Sequence, residues 1–109
     1  MSNLLLANQE SIKTKRLALC HQVRKQLRST LKEILPGQTV WIFGSLARPS
    51  DFNEWSDVDL ALATEPNHIS HSQLVGALIC ALKRDVDVVF LDESRLRDKI
   101  LKEGELWTL

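Results

Sequence analysis

Apolar residues recur at Ile12, Leu17, Cys20, Val23, Leu27, Leu31 and Ile34 or Leu35, mostly three or four positions apart. That spacing lines one face of an α-helix. It predicts a helix from about Gln9 to Leu35, stopped at Pro36-Gly37, where proline cannot continue the helix and glycine accepts the turn. The rhythm then changes. Thr39-Val40-Trp41-Ile42-Phe43 is β-branched and aromatic without polar alternation, which predicts a central strand buried on both faces. Ser45 to Ser56 is polar, contains Pro49, Asp51 and Asn53, and reads as a loop or a short helical turn. A second strand is predicted from Asp57 to Ala63, followed by a break at Glu65-Pro66-Asn67. Leu74, Ala77, Leu78, Ala81 and Leu82 mark one face of a helix from Ser70 to Arg84, with Ser70 or Ser72 as its cap. Asp85 to Leu91 forms the third strand, Ser94 to Glu103 the last helix, ended by Gly104, and Leu106 to Leu109 an optional short edge strand.

The order α-β-β-α-β-α, with an optional final β, predicts an α/β (α+β) fold: a small mixed sheet of three or four strands flanked by helices. At 109 residues the chain has room for one modest core, so residues 1–36 are expected to form an N-terminal helix and residues 39–109 the body of a single domain. No internal repeat or linker interrupts it.

Composition adds exclusions. Apolar residues make up 44% and charged residues 26%, an ordinary globular balance that argues against disorder. Formal net charge is zero, so bulk charge gives no support to nonspecific nucleic-acid or membrane binding. The distribution is uneven, however. Glu10 to Leu35 carries seven basic and two acidic residues, whereas Asp51 to Glu65 carries five acidic and no basic ones. The basic face of Arg24, Lys25, Arg28 and Lys32 reads first as a solvated surface and second as a meeting place for an acidic partner. Cys20 and Cys80 both fall in apolar-periodic stretches and are expected in the core as free thiols. The Leu4–Ala7 run is too short for a secretory signal, and no stretch reaches membrane-spanning length, so a cytoplasmic protein is expected. His21, His68 and His71 have no zinc-like spacing with the carboxylates, and His68 and His71 fit surface or capping roles. Trp41 and Phe43 read as core. Trp55, in an otherwise polar loop, reads as packing or as a surface for a base or partner.

The carboxylates change the picture most. Side chains alternate across a strand, so Asp57 and Asp59 share a face while Val58 takes the other. Two anions at that spacing repel, and a hard divalent cation with oxygen ligands removes the conflict. Asp85 and Asp87 repeat the pattern on another strand. Asp57 and Asp85, at strand starts, also fit ordinary turn residues. Asp59 and Asp87 sit inside hydrophobic runs, where a carboxylate without a partner is costly. If the two strands are neighbours, three or four carboxylates converge, as a two-metal phosphoryl-transfer site requires. Upstream, Gly44-Ser45 directly follows the first strand. The glycine permits close backbone approach, and the serine offers a hydroxyl and an N–H to phosphate oxygens. Arg48 adds a guanidinium three residues on.

Gly44-Ser45, a polar loop, then Asp57-Val58-Asp59 on a strand resembles the signature of the polymerase-β-like nucleotidyltransferase superfamily. Phe43–Arg48, Ser56–Ala61, Val86–Val89 and Ile100–Gly104 are similar to its small stand-alone members, the minimal nucleotidyltransferases. The resemblance covers roughly Trp41 to Leu109 and implies a palm-like nucleotidyltransferase fold. It implies Asp57, Asp59 and Asp87 as catalytic metal ligands, with Asp85 the alternative to Asp87. Gly44, Ser45 and Arg48 would bind the phosphate tail, two Mg²⁺ ions would serve the reaction, and ATP would be the nucleotide donor. The loop from Leu46 to Ser56 has eleven residues, one more than the family's usual spacing. The resemblance further implies an antitoxin that transfers AMP to a hydroxyl, expected to be a tyrosine, of a HEPN-domain ribonuclease toxin. A toxin-binding module without chemistry, and a transferase acting on a small molecule such as an aminoglycoside, are the competing expectations. Nucleic acid and membrane are not among the expected partners.

Overall fold

The computed structural model describes the backbone of residues 2–109 and the side chains of residues 9–109, which leaves the Leu4–Ala7 side chains outside the described residues. The chain folds as α1 (Ser2–Ile34), β1 (Thr39–Phe43), two 3₁₀ turns (Gly44–Ala47 and Pro49–Asp51), β2 (Val58–Leu62), α2 (His71–Leu82), β3 (Val86–Phe90), a third 3₁₀ turn (Leu91–Glu93), α3 (Arg97–Glu103) and β4 (Glu105–Thr108). The predicted order holds, and the edge strand forms. The sheet runs β3-β2-β1-β4, with β1 antiparallel to β2 and β4 and with β2 parallel to β3. It is therefore a mixed four-stranded sheet flanked by three helices.

Strand alternation divides the sheet into two faces. Val40, Ile42, Val58, Leu60, Leu62, Val86, Val88 and Trp107 face one way and form the main core with Cys20, Val23, Leu27, Leu31 and Leu35 around α1 and with Leu74, Leu78 and Leu82 of α2. Trp41, Phe43, Ala61 and Val89 face the other way, against Leu91 and Ile100 of the α3 side. The first strand is thus sealed on one face and only half-buried on the other.

The parallel β2–β3 pair requires a crossover, and α2 supplies it. Ser70 caps the helix: its side chain accepts from Gln73 N, and Gln73 Oε1 accepts from Ser70 N in return, so two orphan amides at the helix start are satisfied. His71 Nε2 donates to Val88 O across 2.9 Å, and the ring packs edge-on against Phe90, which ties the helix start to β3. His68 likewise meets Ile34 O at 2.7 Å. Both histidines therefore act as backbone anchors.

Four expectations need correction. The first helix starts at Ser2 rather than near Gln9, and Ile12 and Leu17, placed on its core face by periodicity, are 51% and 41% exposed. A 33-residue helix is about 50 Å long, and the molecule measures 58 × 28 × 20 Å. Among the described side chains of this helix, the apolar ones that meet the core start at Leu19. Cys80 is exposed, not buried. It lies two residues from both Leu78 and Leu82, which turns it to the opposite side of α2. Ala81 also faces solvent.

At the open edge, β4 is fastened to α1 by polar contacts. Arg24 and Arg28 stack over the Trp107 ring at 5.3 and 4.3 Å. The Trp107 indole donates to Glu105 Oε2, and Arg24 pairs with the same carboxylate. Burial pushes the Glu105 carboxyl up, but the indole hydrogen bond and Arg24 outweigh it and hold it below the ordinary glutamate value. No helix among the described residues is long and apolar enough to cross a membrane.

Candidate active site

The site is built where β1 ends and β2 and β3 begin. Asp59 pairs with Phe43 across the antiparallel β1–β2 ladder and with Asp87 across the parallel β2–β3 ladder. Neighbouring strands lie about 4.8 Å apart, so register alone brings the Asp59 and Asp87 side chains together on the α3 face. It is Asp87, rather than Asp85, that stands opposite Asp59. Asp85 precedes β3, is exposed, and uses its backbone carbonyl to accept from Val58 N at 3.0 Å.

Asp57 lies one residue before β2 and is exposed. Its charge still reaches Asp59. Burial is the first cause raising the Asp59 carboxyl above its ordinary value. The Asp87 and Asp57 charges push in the same direction, and Arg48 opposes them. Both neighbouring carboxylates therefore act electrostatically on Asp59. They do not close into a cage: among the described residues, no group of three or more His, Cys, Asp or Glu is placed to enclose a metal ion. The donor set nevertheless fits Mg²⁺, which favours carboxylate oxygen and binds through one or two carboxylates together with substrate phosphates.

Gly44 has a reason beyond flexibility. Its φ is +69°, a conformation that L side chains rarely adopt. A Cβ there would also run into Asp59 Oδ2 and lie 3.2 Å from Asp59 Cγ. Glycine at the end of β1 thus makes space for the carboxylate on β2. The chain then winds through the two 3₁₀ turns. Leu46 and Phe52 are fully buried and hold them down. Arg84 stacks on Phe52 at 4.9 Å and donates to Asn53 O and Ser56 O, so a residue beyond α2 secures the loop that leads into Asp57. Trp55, at the tip of this loop, is 81% exposed.

A cleft of roughly 480 Å³ opens over these groups, lined by Phe43, Gly44, Ala47, Arg48, Asp59 and Asp87 on the sheet side and by Leu96, Lys99, Ile100 and Glu103 from α3 and its approach. Of the residues singled out from sequence, Gly44, Arg48, Asp59 and Asp87 line it. Ser45 and Asp57 flank it without lining it. Arg48 is paired with Asp51 at 3.0 Å. Of the α3 wall, Ile100 and Glu103 fall in a stretch similar to the family but carried no expected role, and Leu96 and Lys99 were not singled out from sequence. The signal was there: Leu96, Lys99, Ile100 and Glu103 fall three or four apart and share one helix face.

A family model described as Polymerase beta, Nucleotidyltransferase matches residues 25–107 of the chain. No curated protein is significantly similar to it. Among solved structures, the chain is similar to a toxin–antitoxin crystallised with AMP-PNP, at 26% identity and a TM-score of 0.61, over 78% of this chain and 73% of that one. The MntA–HepT toxin–antitoxin shares the fold, at 24% identity and a TM-score of 0.58, over 82% of this chain and 73% of that one.

Proposed function

Since the chain belongs to the polymerase beta nucleotidyltransferase family, we propose that it is an MntA-like antitoxin that transfers AMP from ATP to a hydroxyl, expected to be a tyrosine, of a HEPN-domain toxin. The observation that carries this reading is the facing pair Asp59 and Asp87, held by strand register in a cleft that Gly44 keeps open. A protein that worked by occlusion alone would have no use for a carboxylate pushed toward neutrality by burial and by two others. Similarity to a toxin–antitoxin solved with AMP-PNP supports ATP as the donor and a toxin as the partner.

In this reading Asp57, Asp59 and Asp87 would hold Mg²⁺, which when bound would neutralise their charge and the charge that develops on the transferring phosphoryl group. The remaining work belongs to positioning. Backbone amides and the Ser45 hydroxyl at the Gly44-Ser45 turn receive phosphate oxygens, and Arg48 adds a cation at the rim. The acceptor oxygen attacks the α-phosphorus in line. The bond to pyrophosphate breaks, and the hydroxyl proton is released to solvent or to a neighbouring carboxylate.

The test is incubation of the chain with its toxin, Mg²⁺ and α-labelled ATP. Label is expected on the toxin, and the double variant Asp57→Ala with Asp59→Ala is expected to abolish it. Label that survives the double variant would sink this assignment of the site. A neutralised toxin that never carries label would leave an antitoxin acting by binding.

A further inference from the structure

Three carboxylates and two cations line the cleft: Asp59, Asp87 and Glu103 against Arg48 and Lys99. The two cations are not equivalent. Arg48 lies on the loop, well exposed, with its Nε donating to Asp51, so part of its charge is already answered. Lys99 lies on α3 with Glu103, across the cleft from Asp59 and Asp87, and among the described residues it forms no ion pair. Its helix is fixed rather than loose. Ile100, the next residue, is 2% exposed and packs with Ala61 and Leu91 under the α3 face of the sheet. At the helix end, Gly104 donates to Ile100 O at 2.7 Å, and a Cβ at Gly104 would press against that oxygen and lie 3.3 Å from Ile42 O on β1. Lys99 is thus a flexible cation on a rigid mount.

We propose that Lys99 is the clamp for the outer phosphates of the nucleotide, the β- and γ-groups that leave as pyrophosphate. The proposal rests on the reading of the cleft as a nucleotide site. Once Mg²⁺ answers Asp59 and Asp87, and with Arg48 already paired to Asp51, Lys99 is the cation of the lining left to meet an incoming anion, with Glu103 on the same helix as its counter-charge. A triphosphate spans several ångströms and bears most of its charge on the two phosphates beyond the α-position. An ammonium on α3 can meet that charge from the side opposite the Gly44-Ser45 turn. The tail would then be gripped between sheet and helix, with the α-phosphorus left beside the carboxylates. Lysine suits this task because it is a mobile point charge that follows a polyphosphate.

The sharpest test compares ATP with AMP, which differ only in the phosphates assigned to Lys99. Binding of each to the wild-type chain, Lys99→Met and Lys99→Arg is measured by titration calorimetry in Mg²⁺. Lys99 is exposed, so the substitutions leave the core untouched. Lys99→Met is expected to weaken ATP about tenfold, as loss of one charge-assisted contact does, while AMP affinity stays unchanged and Lys99→Arg recovers most of the loss. Equal weakening of ATP and AMP, or no weakening of either, overturns the proposal while the nucleotide site stands. Failure of the wild-type chain to bind ATP overturns both the proposal and the reading beneath it.

Discussion

The two faces of the sheet do different work. On the α1–α2 face, Leu27, Leu31, Val40, Ile42, Leu60, Leu74 and Leu78 are all fully buried and close into one continuous core. On the α3 face the buried set shrinks to Ala61, Leu91 and Ile100, and the rest of the surface is a cleft floored by carboxylates. The same strands serve both. Val58, Leu60 and Leu62 point into the core while Asp59, on the same five-residue strand, points into the cleft. A two-residue period is therefore enough to set stability and chemistry back to back. The chemical face works against the fold: desolvation and like charges hold Asp59 away from its preferred ionised state.

This division can be broken from the chemical side first. Asp59→Asn should cut nucleotidyl transfer by about 10²–10³-fold, the usual scale for losing one preorganised group at developing charge. In metal-free buffer the same variant should be more heat-stable than the wild type near neutral pH. The sign follows from linkage. Asp59 has a raised value in the folded chain, so its contribution to stability is fully present below the ordinary aspartate value and is lost as pH rises through the raised one. Thermal melts across pH should show that decline in the wild type, its absence in Asp59→Asn, and its suppression by Mg²⁺. A variant that is inactive but less stable at every pH would dissolve the contrast between the faces.

From the packed side, Leu31→Ala should do the reverse. It is fully buried, and its truncation should cost about 2–5 kcal/mol of stability, read by denaturant melts. Transfer at a temperature where the variant stays folded should change little. Gly44→Ala sits on the border between the faces and should show both effects at smaller scale. Adopting a positive φ costs about 1–3 kcal/mol, and the new methyl group would displace the Asp59 carboxylate. Transfer should fall even where melts show a folded chain, and ordinary activity would mean that the Asp59 position is not critical.

Most of the packed face was legible in the sequence, because apolar periodicity records burial directly. Leu74, Leu78 and Leu82 were placed correctly, as were the strands and the glycine that ends α3. The misreadings share a cause. Ile12 and Leu17 continue the period of α1 past the point where there is a body to pack on, and Cys80 looked apolar in a helix whose buried face it does not share. Periodicity states which residues could be buried together and says nothing of where the partner surface ends. The carboxylates were legible because Asp59 and Asp87 interrupt hydrophobic runs. Their pairing was expected only on the condition that the two strands are neighbours, since strand order and register are long-range properties. The role of Gly44 as space for Asp59 was hidden for the same reason. Lys99 escaped because one lysine on a short amphipathic helix looks like any solvated residue until the cleft beneath it is seen.

The three tryptophans fall one to a region. Trp107 is buried beneath Arg24 and Arg28 beside the main core, Trp41 is half-buried on the α3 face, and Trp55 is 81% exposed on the loop leading into the carboxylates. With no tyrosine in the chain, its near-ultraviolet emission comes almost entirely from these rings. The molecule is thereby wired with three native optical probes, of which the buried Trp107 should report global unfolding and the exposed Trp55 events at the loop before Asp57. Paired Trp→Phe replacements would isolate each signal, so melting, ligand entry and partner docking can be followed in the same cuvette without a label.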